Sequence, residues 1–129
     1  MLAVDTNVLV RLAIADDAQQ VARAAAALRE QRFYVSLTVL LETEWVLRSA
    51  AGLDRAAVKR TLERIIQQEH AVIERRDVAL RALDDFSNGI DFTDALHLRG
   101  ASDCVAFLTF DRKLARRADR LDGLSVREP

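Results

Sequence analysis

Two rhythms of apolar residues alternate along the chain. Short apolar runs stand at Leu2–Val4, Phe33–Val35, Ala71–Ile73, Val105–Phe110 and Leu124–Val126, each the length of a strand. Longer segments with helical spacing separate them. Val8, Leu9 and Leu12 open one such segment, and Leu37 to Ala51 forms another. In a further segment Val58, Leu62, Ile65 and Ile66 fall at i, i+4, i+7 and i+8, with Asp54 placed to cap the helix after the breaker Gly52. Five strands alternating with helices predict a parallel sheet, because parallel neighbours need crossover connections and helices supply them. The expectation is an α/β protein in three layers, with helices on both faces of the sheet.

The 129 residues, half of them hydrophobic, suffice for one core. Pro stands only at position 129, Gly occurs four times, and no low-complexity stretch or repeat interrupts the pattern. One domain over residues 1–129 is therefore expected. Nineteen Lys and Arg against twenty Asp and Glu leave a net charge of −1, so any contact with a nucleic acid must be local. The single Cys104 excludes an internal disulfide, and no Cys/His spacing matches a zinc site. A reducing, cytoplasmic location is expected, with no membrane insertion, since every apolar stretch is far shorter than the ~20 residues that cross a bilayer.

Sheets of this kind bind ligands beyond the C-terminal ends of their strands, which draws attention to acids at those ends. Asp5 follows the first strand and Asp111 the fourth; each has the position of a helix cap, and each also reaches the same sheet edge if the strands are parallel. In "SLTVLLETEWVLR", Glu44 has Arg48 at i+4 and reads as structural. Glu42 has Thr38, Val39, Trp45 and Val46 at its helical neighbours, so a half-buried carboxylate without a nearby cation is expected. In "DFTDALHLRG", Asp91 is placed as a cap and Asp94 in the first turn of a helix running towards Asp103. His97, one turn on, reads as a packing or hydrogen-bonding residue and not as a ligand. Asp5, Glu42, Asp94 and Asp111 together form an all-oxygen set of the kind Mg²⁺ or Mn²⁺ prefers, and such ions would make the cluster a hydrolytic centre for a phosphodiester.

"DTNVLVRL", "SLTVLLETEWVLR", "DFTDALHL" and "FLTFDRKL", in this order and spacing, resemble the PIN-domain family, and most closely the VapC-type toxins of bacterial toxin–antitoxin pairs. The resemblance implies a PIN-like α/β/α fold with a five-stranded parallel sheet and Mg²⁺- or Mn²⁺-dependent cleavage of RNA. It places the family's acidic quartet on Asp5, Glu42, Asp94 and Asp111. Asn7 and Thr109 match supporting polar positions, and Asp91 a commonly acidic one. It also implies a VapB-type antitoxin partner and a homodimer.

The segment from Asp111 to Arg120 carries a local charge excess through Arg112, Lys113, Arg116, Arg117 and Arg120. Arg112, Lys113 and Arg116 are the candidates for holding an RNA backbone; a solvated helix face is the alternative. Two other functions compete with the nuclease. One is an aspartyl-phosphate phosphatase using Asp5, which normally wants a second acid where Asn7 stands; the other is a silent regulatory module whose acidic groove binds a partner.

Overall fold

In the computed structural model, which describes residues 1–129, strands form at all five apolar runs. They are β1 (Leu2–Ala3), β2 (Phe33–Val35), β3 (Ala71–Ile73), β4 (Phe107–Leu108) and β5 (Val126–Arg127). Helices α1 (Thr6–Ile14) and α2 (Ala18–Glu30) connect β1 to β2, and α3 (Leu37–Ser49) with α4 (Arg55–Ile66) connects β2 to β3. Helices α5 (Arg76–Ser87) and α6 (Phe92–Gly100) precede β4, and α7 (Arg112–Ala118) leads to β5. The result is a mixed α/β protein with seven helices and small parallel sheets. No helix is long and apolar enough to cross a membrane.

Caps set the helix starts as the residue types dictate. Asp5, Asp17, Asp54, Asp91 and Asp111 each accept a backbone N–H from the first turn, and Ser36 does so for α3. Helix α6 stops at Gly100, short of Asp103, because the chain turns through Ala101 and Ser102.

All observed pairings are parallel, but the strands do not form one five-stranded sheet. Hydrogen bonds run through β1-β2-β3, with Phe33 beside both Leu2 and Ala71, and separately through β4-β5, with Phe107 beside Val126. The reason lies in β4, where only Phe107 and Leu108 enter a ladder. Val105 and Phe110, the ends of the expected strand, stand in solvent.

The core packs the buried sides of the helices against the strands, with Phe86 and Phe92 edge to face at 5.8 Å between centroids. Arg55 lies over the Phe86 ring and donates to the carbonyls of Phe86 and Ile90. Buried Asp85 takes two hydrogen bonds from Arg99, at 2.6 and 2.9 Å, which ties α5 to α6. Every buried side-chain polar atom has a partner.

A candidate acidic site at the strand tips

Because β1, β2 and β3 are parallel, the residues that follow them emerge at one edge: Asp5 after β1, Ser36 after β2 and Glu74 after β3. Asp5 Oδ1 accepts the Val8 N–H at 3.3 Å and starts α1. Ser36 Oγ accepts from Val39. Glu74 Oε1 accepts the Leu37 N–H at 2.9 Å, so a carboxylate from β3 closes the first turn of α3.

The second group of acids is built around α6 and α7. Asp91 Oδ1 accepts the Asp94 N–H at 3.2 Å, and Asp111 Oδ1 accepts the Leu114 N–H at 3.0 Å. Thr109 Oγ1 accepts the Asp111 N–H at 3.0 Å, fixing the approach to that cap. Asp94 is half-buried and makes no side-chain hydrogen bond or ion pair within the protein. Burial pushes its carboxyl above the ordinary range, and the charges of Asp91 and Asp111 push the same way, against a smaller opposite pull from His97 and Arg117. Asp94 therefore feels the charges of both Asp91 and Asp111. The Arg48 guanidinium, held charged mainly by its hydrogen bond to Glu44, also feels Asp91.

Glu42 departs from expectation. It is exposed, because its face of α3 looks into solvent: Thr38 is exposed too, and Trp45 is 57% accessible. The inward face is Leu40, Thr43, Glu44 and Leu47, and the buried carboxylate is Glu44, 2% accessible and bonded to Arg48 Nε at 2.9 Å. Both faces of α3 are apolar in sequence, so helical spacing could not say which one turned inward. His97 is likewise exposed rather than packed, and Asn7 is exposed beside Asp5.

One family pattern, described as PIN domain, matches residues 2–120. The chain belongs to the PIN domain family. PIN domains are generally metal-dependent nucleases, typically bind divalent metals, and bind RNA. No curated protein and no solved structure matches the chain.

In this PIN domain the chemistry of the donor set fits a hard divalent cation. Asp5, Asp91 and Asp111 each commit one oxygen to a helix cap and leave the other without a protein donor. Asp94 leaves both oxygens without a protein donor, and its burial disfavours the charged form. The side chains are not drawn into a closed cage: no three of the acids converge on one point. Asp5 caps α1 and Glu42 stands on α3, two helices that pack on each other, and α3 also touches α6, the helix that carries Asp94.

Sequence reasoning passed over Glu74, whose only signal was its place directly after a strand. It also assigned Arg112 to the basic group, whereas Arg112 faces Glu128 at 3.2 Å. An open cleft of about 420 Å³ beside α7 is lined instead by Lys113, Arg116, Arg117 and Arg120.

Proposed function

We propose that this PIN domain is a Mg²⁺- or Mn²⁺-dependent endoribonuclease and the toxin of a VapBC-type pair, working in the cytoplasm as a homodimer held in check by a VapB-type antitoxin. The observation that carries the nuclease reading is the half-buried Asp94 carboxyl, which has no protein donor and is disfavoured as an anion by its burial and by the charges of Asp91 and Asp111 on two helix starts. Anions left unpaired by the protein are disfavoured unless a cation joins them.

Asp5, Glu42, Asp94 and Asp111 are the residues that would hold the ion or orient water, with Asn7, Thr109 and Asp91 in support. A bound divalent ion supplies a water activated near neutral pH and neutralises charge on the phosphodiester. The chain's own part is to hold the carboxylates on rigid helix starts. Capping fixes one oxygen of Asp5 and of Asp111 and leaves the second without a protein donor. Exposed Glu42 has the freedom to swing towards the ion or the substrate. The apolar side chains left in solvent, Trp45, Leu108 and Phe110 among them, support a second copy or an antitoxin as their cover.

The deciding experiment incubates the purified chain with Mn²⁺ and a panel of structured and unstructured RNAs. Chelator-sensitive internal cleavage, abolished by Asp5→Asn and by Asp94→Asn, is expected. An uncut panel, with Asp5→Asn still altering affinity for a co-expressed partner, would replace the enzyme with a binding module. Turnover of small phosphomonoesters in place of RNA would make it a phosphatase. Release of the growth arrest caused by the chain on co-expression of a neighbouring small gene tests the toxin assignment.

A further inference from the structure

The cleft beside α7 differs from the rest of the surface in its charge. Its lining is Lys113, Arg116, Arg117 and Arg120, with no apolar side chain and no acid. All four are exposed, and none takes part in an ion pair. The spacing explains the grouping. Positions 113, 116, 117 and 120 are i, i+3, i+4 and i+7, one stripe along α7 and the turn that follows it. Leu114 and Ala118 occupy the opposite, buried side and anchor the helix.

Four like charges held side by side repel one another, so the stripe is stabilised by any polyanion that lies along it. Its length of ~10 Å, from a rise of about 1.5 Å per residue, suits one strand rather than the two backbones of a duplex. The same helix begins at Asp111, and Arg117 Nη1 donates at 3.1 Å to the carbonyl of Gly89, two residues before Asp91. The stripe is thus tied to both segments that bear the α6–α7 acids. With no aromatic side chain in the lining, it has no means of stacking a base.

We propose that Lys113, Arg116, Arg117 and Arg120 form a sequence-independent track for the phosphodiester backbone of a single-stranded nucleic acid, holding the strand beside the acids without reading its bases. The identity of the polyanion rests on the nuclease reading; the track itself does not.

The test measures anisotropy of a fluorescein-labelled oligouridylate with the full chain in EDTA, where binding is read without cleavage, over a range of KCl. Four neutralised phosphates give a log–log salt slope of about −2.8, or about fifty-fold weaker binding from ~50 to ~200 mM salt. The double variant Lys113→Gln, Arg116→Gln is expected to reduce that slope to about −1.4, and Arg120→Gln alone to remove about 0.7. Arg60→Gln, the same change of net charge as Arg120→Gln but at an exposed position of α4, is expected to leave the slope as it was. An oligoadenylate of the same length is expected to give the same slope.

An unchanged slope in the double variant, an equal loss from Arg60→Gln, or competition by an oligoglutamate as effective as by RNA of equal charge would overturn the track. Cleavage measured separately with Mn²⁺ keeps the two readings apart. RNA cut by a chain whose slope ignores the stripe sinks the track alone, and stripe-dependent binding without any cleavage sinks the nuclease alone.

Discussion

Asp94 sits in the first turn of the helix that Asp91 caps, its own N–H bound to Asp91 Oδ1 at 3.2 Å while its carboxyl remains without a protein partner. Burial first, and then the charges of Asp91 and Asp111, raise the proton affinity of that carboxyl in the folded state. A carboxyl with a raised folded pKa adds stability that is complete below the ordinary carboxylate range and disappears as pH climbs through the raised value. Asp94→Asn is therefore expected to melt at a higher temperature than the wild type at neutral pH, with the gap closing below about pH 4. Melting curves across that range check the sign; a variant less stable at pH 7 would contradict it. The same substitution is expected to remove most of the stabilisation that added Mn²⁺ gives the wild type.

Asp85 and Arg99 join α5 to α6 through a bidentate pair that is almost wholly buried. Removing one partner strands the other charge in the core. Arg99→Leu is expected to lower unfolding free energy by about 3 to 5 kcal/mol. Asp85→Leu combined with Arg99→Leu should cost less than either single change, because no orphan charge remains. Urea denaturation of the three variants measures the coupling, and additive losses would count against the pair acting as a unit.

Glu74 closes the first turn of α3 from the end of β3. Glu74→Ala is expected to cost about 1 kcal/mol, the usual worth of a lost helix cap, and Glu74→Gln, which keeps an acceptor oxygen, less. The denaturation midpoint is again the readout. Because α3 carries Glu42, Glu74→Ala should also slow RNA cleavage more than Glu74→Gln does.

Trp45 is the only tryptophan and is more than half exposed. In the lone chain its emission should be that of a wetted indole. If the homodimer covers this side of α3, the spectrum moves to the blue as concentration rises, in step with the mass seen by sedimentation. A rise in mass without the spectral change would put the interface elsewhere.

Strands paired along their whole length are the easiest to read. Phe33–Val35 and Ala71–Ile73 keep their expected bounds because their neighbours supply hydrogen bonds along the whole run. Val105–Phe110 looked longer in sequence than it is in the fold, since apolar character alone does not say whether a neighbour will be there to pair with it. Capping was legible at Asp54, Asp91 and Asp111, where the interaction spans three residues. So was Glu44 with Arg48, one helical turn apart. Glu42 was misread, and Glu74 missed, for a common reason: which face of α3 turns inward, and which distant acid meets its first turn, depend on contacts between elements far apart in the chain.

Three of the acids, Asp5, Asp91 and Asp111, are also the residues that begin helices. Asparagine caps a helix as well as aspartate does. Exchanging one oxygen for an amide at Asp5 or Asp111 therefore withdraws a negative charge while the helix start stays tied. An asparagine at either position is thus expected to give a chain of near-native stability, in which any lost cleavage would report on the missing charge and not on a loosened helix.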